Sequence, residues 1–149
     1  MDALSYIAGI LDGEGSIELK MQRKGTLDLT VHIFNSDWPL FEWIETHFGG
    51  KTYDIHRRAR TEKPQWKPVY NWNIGGQRGR DFLLSVSPNL LIKRPQADLA
   101  VEAWDNRQAF YRGTGPGRVH LIVPEHVIAL RRSYVDRMHE LNRLHRGPT

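Results

Sequence analysis

The chain has 149 residues, a length that suits one domain with one core. Hydrophobic residues make up 40% and aromatic residues 10%, and the mean hydropathy is −0.54, so composition excludes a chain built of membrane spans and predicts a soluble globular protein. Cysteine is absent, which excludes disulfides, thiolate zinc sites, iron–sulfur ligation and a cysteine nucleophile, and leaves any metal to oxygen or imidazole ligands.

The formal charge is +4 with a pI near 9.6, a balance that favours an anionic partner. Its distribution is uneven. Residues 1–14 hold the acids Asp2, Asp12 and Glu14 and no base, whereas residues 51–80 hold eight bases (Lys51, Arg57, Arg58, Arg60, Lys63, Lys67, Arg78, Arg80) against Asp54 and Glu62. The N-terminal stretch has no basic n-region and reads as a folded helix rather than a signal peptide, so an intracellular location is expected.

Taken in chain order, Leu4, Ile7, Ala8 and Leu11 repeat with the helical period until Gly13 and Gly15 stop the pattern. From Ser16 the period becomes two. Ile17, Leu19 and Met21 alternate with Glu18, Lys20 and Gln22; after Lys24-Gly25, Leu27, Leu29, Val31 and Ile33 alternate with Asp28, Thr30 and His32, which predicts a hairpin with one wet face. Ser36-Asp37 reads as a cap and Trp38-Pro39 as the start of a second helix, with Leu40, Phe41, Ile44 and Phe48 inward and a stop at Gly49-Gly50. A second strand pair is predicted from Tyr53 to Arg60, with Ile55 inward, and from Val69 to Gly75, with Tyr70, Trp72 and Ile74 inward. Helices are predicted at about Arg78–Val86, Pro95–Tyr111 and Pro124–Leu144, with GTGPG at 113–117 as a loop. The order α-β-β-α-β-β-α, followed by C-terminal helices, defines an α+β fold: a four-stranded antiparallel sheet with helices on one face. The domain spans 1–149, with a core at about 4–111 and a helical extension at about 118–146.

Chemistry concentrates at the end of the first helix. Ala8, Gly9 and Gly13 leave its surface nearly bare, which serves either core packing or the close crossing of a second helix. Glu14 lies at the negative end of the helix dipole with Asp12 adding like charge, so a compensating cation is expected, either a divalent ion held by hard oxygens or a nearby Lys or Arg.

The segment Ile7-Ala8-Gly9-Ile10-Leu11-Asp12-Gly13-Glu14-Gly15 resembles the LAGLIDADG motif of homing endonucleases, sharing Ala8, Gly9, Asp12 and Gly15. The helix–hairpin–helix–hairpin–helix order resembles that family's αββαββα core. Asn89-Leu90-Leu91-Ile92-Lys93-Arg94-Pro95-Gln96-Ala97 resembles the stretch that supplies its basic active-site residue. The resemblance implies a catalytic set of Glu14, Asn35 and Lys93. Glu14, with the carbonyl of Gly13, would hold Mg2+, or Mn2+ or Ca2+ in the same place; Asn35 would orient active-site water; Lys93 would sit beside the scissile phosphate. Asp12 would support the helix end. Departures from the family pattern are Glu14 for the final Asp of the motif and Asn35 where the best-known members have Gln. Only one copy of the motif is present, so the resemblance implies a homodimer joined through Ile7, Ala8, Ile10, Leu11 and Asp12.

The wet face of the predicted sheet carries side chains that pair with base edges in the major groove. Lys20, Gln22, Lys24, Thr30, His32, His56, Arg58, Arg60, Asn71 and Asn73 are the candidate DNA contacts on it, with Lys67, Arg78 and Arg80 on loops facing phosphates. The expected activity is a sequence-specific double-strand break in a long pseudo-palindromic DNA site by metal-dependent phosphodiester hydrolysis, in the setting of intron homing. A non-cleaving DNA-binding regulator or an RNA maturase of the same fold is the alternative. Neither a membrane nor a small-molecule substrate is expected. Gly75 to Arg80 lacks the Lys-Ser/Thr of a phosphate loop, and Arg131, Arg132, Arg137, Arg143 and Arg146 predict a solvated basic face on the last helix.

Overall fold

A computed structural model describes residues 2–109 and 123–144. Helix α1 (Ala3–Glu14) starts on Asp2, whose carboxylate accepts the backbone N–H groups of Leu4 and Ser5. The chain then passes without a loop into β1 (Gly15–Met21). A side chain at Gly15 would meet the Leu11 carbonyl oxygen at 2.9 Å, so only glycine permits so direct a turn from helix to strand. Strand β2 (Leu27–Asn35) returns through a turn with Gly25 at φ +80, and α2 (Trp38–Phe48) follows, with Pro39 in its first turn. Next come β3 (Lys51–Asp54), the short helix α3 (Ala59–Glu62) and β4 (Tyr70–Gly75). Helix α4 (Gly76–Val86), α5 (Arg94–Ala109) and α6 (Glu125–Leu144) complete the described chain.

The sheet is four-stranded and antiparallel in the order β1-β2-β4-β3. Period-two alternation sends Ile17, Leu19, Leu27, Leu29, Val31, Ile33, Trp72 and Ile74 to one face, where each is at most 5% exposed. Helices α1, α4 and α5 cover that face with Ile7, Leu11, Phe82, Leu83, Ala97 and Ala100. Each large apolar side chain so buried contributes roughly 1.5–3 kcal/mol. Trp72 is wholly buried, and its indole N–H is satisfied by the Gly49 carbonyl at 2.8 Å.

The α+β class, the antiparallel sheet and the one-sided helices agree with the sequence reading. One strand differs. Residues 55–60 do not continue β3, and Ile55, expected inward, is 47% exposed. The Asp54 carboxylate accepts the His56 backbone N–H at 3.1 Å and pairs with the Arg60 guanidinium, so one side chain turns the chain out of the sheet. The 113–117 loop lies outside the described residues.

Helix α6 runs beside the edge strand β1. Asn142 Nδ2 donates to the Ile17 carbonyl at 3.0 Å, while Ile128 packs at Gly25 in the β1–β2 turn. Arg131, expected on a solvated basic face, is 4% exposed instead, and its guanidinium donates to the Gly25 carbonyl. Burial, and then the like charge of Arg107, hold its pKa below that of an ordinary arginine. No helix among the described residues is long and apolar enough to cross a membrane.

Candidate active site and nucleic-acid interface

Two carboxylates at the end of α1 face different ways. Asp12 turns toward the segment before α5, where its oxygens accept the backbone N–H groups of Leu91 at 2.8 Å, Ile92 at 3.2 Å and Lys93 at 2.9 Å. An acid here sits at the positive end of α5 and is favourably placed. Lys93 answers with its Nζ, which donates to the Asp12 main-chain carbonyl at 2.5 Å. The ammonium is thereby held at the C-terminal end of α1, the end that carries Glu14. Burial pulls the Lys93 pKa below that of an ordinary lysine, and the Asp12 charge offsets part of the shift.

Glu14 is exposed, and its Oε2 accepts Asn35 Nδ2 at 2.5 Å. Asn35 closes β2 on the helix side of the sheet, and its Oδ1 accepts the Asp37 N–H at 2.9 Å, which fixes the amide so that its NH2 group addresses Glu14. Glu14 Oε1 has no hydrogen-bond partner among the described residues. Glu14 and the last-turn carbonyls of α1 beside it are hard-oxygen groups of the kind that could hold a divalent ion. One chain does not complete such a set: among the described residues no three His, Asp or Glu side chains gather closely enough to hold a metal ion.

The exposed stripe of α1 is not the one expected for a chain-to-chain contact. Ile7, Ala8 and Leu11 are 0% exposed inside the core of their own chain and offer nothing to a second one. Asp12 is engaged with residues 91–93, and Ile10 is half-buried. Ser5, Tyr6, Gly9 and Gly13 are exposed instead, and where a side chain would start on Gly9 or Gly13 there is nothing within 4 Å. Helical spacing carries the signal: positions 5, 6, 9 and 13 complement the apolar set at 4, 7, 8 and 11. This stripe lines an open groove of about 540 Å³ that ends at Glu14, Asn35 and Asp37.

On the opposite side of the sheet, strand register sets polar side chains in rows. Lys20 pairs with Asp28; Glu18 lies across from Thr30; Ser16, His32, Asn73 and Lys51 cross all four strands; Phe34, Asn71 and Tyr53 form the next row. The His32 ring bridges two of these rows, with Nε2 3.3 Å from Glu18 and Nδ1 3.3 Å from Asn71 Oδ1. Lys20, Thr30, His32, Asn71 and Asn73 thus share one face as the alternation predicts, and Gln22 and Lys24 sit at its hairpin end. Phe34 and Tyr53, 42% and 47% exposed, belong to the same face and were not among the candidates, although Phe34 keeps the parity of His32.

Other candidates lie elsewhere. His56, Arg58, Arg60 and Lys67 belong to the excursion between β3 and β4, and Arg60 is tied to Asp54. Arg78 and Arg80 are on α4 rather than on loops. Arg80 donates to Asp105 through Nε at 2.9 Å and Nη2 at 3.0 Å and to Asp81 through Nη1 at 3.2 Å, bonds that raise its pKa and commit its fork within the chain.

No protein-family model matches the sequence, and no curated protein is significantly similar to it. Solved structures do match in shape. The homing endonuclease I-CvuI, in complex with its target in the presence of calcium, aligns with a TM-score of 0.67 over 93% of this chain and 80% of its own, at 14% identity. The homing endonuclease I-TnaI aligns at 0.56 over 96% of both chains, also at 14% identity. I-SmaMI, a LAGLIDADG homing endonuclease bound to cleaved DNA, aligns at 0.62 and 12% identity, with 93% of this chain covering 43% of that longer one. The chain therefore has the fold of the LAGLIDADG homing endonucleases. Within that class it has the shape of I-CvuI and I-TnaI over most of their length, and of less than half of I-SmaMI.

Proposed function

We propose that the chain is a LAGLIDADG homing endonuclease that acts as a homodimer on double-stranded DNA, making a double-strand break in a long pseudo-palindromic site. The arrangement at the end of α1 carries this reading: an exposed Glu14 carboxylate with one oxygen held by Asn35 and the other open, and the Lys93 ammonium clasped to the same helix end. That juxtaposition suits phosphodiester hydrolysis, and Glu14 in it faces solvent at the unfavourable end of a helix dipole, a placement that adds nothing to the fold.

Two chains crossing along Gly9 and Gly13 would bring their helix backbones close and set two Glu14 side chains together, supplying the second carboxylate that one chain lacks. The oxygen-only donor set fits Mg2+, with Mn2+ or Ca2+ able to take the same ligands. A divalent ion bound there supplies an activated water and charge neutralisation at the phosphate. Glu14 and the Gly13 carbonyl would hold it, with Asn35 keeping the Glu14 carboxylate oriented. Lys93 offsets negative charge on the phosphate from a preorganised position. The polar sheet face follows the major groove, with Lys20, Gln22, Lys24, Thr30, His32, Asn71 and Asn73 toward base edges, and Lys67 and Arg58 toward phosphates.

The test is conversion of supercoiled plasmid carrying a selected site, with and without Mg2+. Metal-dependent cleavage lost in Glu14→Gln, with duplex binding retained, supports the reading. Binding without nicking in the native chain would favour the regulator or maturase.

A further inference from the structure

We propose that Asp28, together with Lys20 across the β1–β2 pair, reads one G·C base pair in each half of the duplex target. This rests on the polar sheet face being the DNA-reading surface. The strands of the sheet carry three carboxylates. Glu18 lies 3.3 Å from His32, and Asp54 is paired with Arg60. Asp28 alone among them has no cation within ion-pair distance among the described residues, although Lys20 is its register partner. Lys20 is exposed and makes no ion pair either, so two opposite charges sit across one strand pair without closing on each other. Their side chains start about 4.5–5.5 Å apart, near enough for both heads to address one base pair.

Gln22 fixes the carboxylate. Its Nε2 donates to Asp28 Oδ2 at 2.6 Å, and Oδ1 has no hydrogen-bond partner among the described residues. A carboxylate facing a polyanion is repelled unless it meets a donor, and the donors of the major groove are the amino groups of cytosine and adenine. Cytosine N4 lies beside the O6 and N7 acceptors of its paired guanine, and a lysine ammonium suits those two acceptors. An acceptor next to a cationic donor matches that edge. The Asp28 Oδ1 atom accepts from cytosine N4, and Lys20 Nζ donates to the guanine.

The experiment is selection from a duplex library randomised over about 20 base pairs, two protomer lengths of roughly ten pairs each, using the full chain and its Asp28→Asn and Asp28→Ala variants. The native chain should select a G·C pair at one symmetric position per half-site. Both variants should lose that preference by roughly 5- to 150-fold while every other position is unchanged. Asp28→Asn should also favour adenine there, because an amide pairs with adenine N6 and N7. Selection of a site by the native chain with every preference unchanged in both variants overturns the assignment, and so does an altered position that was A·T. A carboxylate that merely staples the hairpin through Gln22 would lower the melting temperature of Asp28→Ala and leave the selected site intact, which also overturns it. No enrichment by the native chain removes the reading surface itself, and the assignment falls with it.

Discussion

Asp12 and Lys93 hold each other in two directions: the Asp12 carboxylate accepts the Lys93 backbone N–H at 2.9 Å, and Lys93 Nζ donates to the Asp12 carbonyl at 2.5 Å. This clasp joins the end of α1 to the start of α5 and fixes the Lys93 ammonium against the last turn of α1. Replacing Asp12 by Ala strips three backbone donors of their acceptor. The expected cost, in a half-buried position where water replaces part of the loss, is about 1–3 kcal/mol. A thermal melt should show it as a drop of roughly 3 to 10 °C, and an unchanged melting temperature would mean that the turn before α5 is held by other means.

Glu14 and Asn35 should separate cutting from binding. Glu14→Gln is expected to leave the fold and duplex affinity near native while lowering cleavage by at least about a hundredfold. Asn35→Ala, which frees the carboxylate to rotate, should cost roughly 10- to 100-fold in the same assay. Gel-shift and plasmid-cleavage measurements on one preparation supply both readouts.

Lys93 sets a pH limit. Burial, partly offset by Asp12, holds its pKa below that of an ordinary lysine, so the folded chain releases this proton more readily than the unfolded one. Stability from this group should rise as pH climbs from the folded value toward the ordinary lysine value, because the unfolded state holds more protons there. Cleavage should move the opposite way, falling on the alkaline side as the ammonium is lost. Lys93→Arg, always charged, should show no such fall, and Lys93→Met should be slow at every pH, by about 100- to 1000-fold. Cleavage rates measured across pH for the three proteins decide it.

The bare stripe of α1 makes opposite demands on one chain and on two. With nothing within 4 Å of a side chain at Gly9 or Gly13, Gly9→Ala should stabilise the isolated helix by about 0.4–1 kcal/mol. Gly13→Leu should fold as well, yet weaken self-association and cleavage together if two α1 helices meet there. Sedimentation of both variants against the native chain would show it; an unchanged association constant for Gly13→Leu would place the contact elsewhere.

Much of this was readable from residue periodicity. The first hairpin and the wet face follow from a period of two broken at Gly25, the end of α2 follows from Gly49, and Trp72 and Ile74 fall inward as alternation requires. The second strand pair is present, but its first strand ends at Asp54: Asp54, His56, Arg58 and Arg60 alternate like a strand, whereas the Asp54 side chain closes a local turn that hydropathy does not register. On α1, apolar side chains suit a core and a helix crossing equally, and burial places Ile7, Ala8 and Leu11 in the core of their own chain. The link from Asp12 to residues 91–93 joins parts of the chain far apart in sequence, and no local signal announces it.

The flanks of the sheet constrain how chains meet. At one margin α6 lies along β1, and Asn142 occupies a carbonyl that a foreign strand would seek. At the other, β3 is four residues long and opens with Lys51. Short, charged or covered margins discourage strand-to-strand accretion. A covered margin on one side and a short, charged one on the other give a neighbour's strand little to add to, which works against open-ended, fibril-like growth of the sheet.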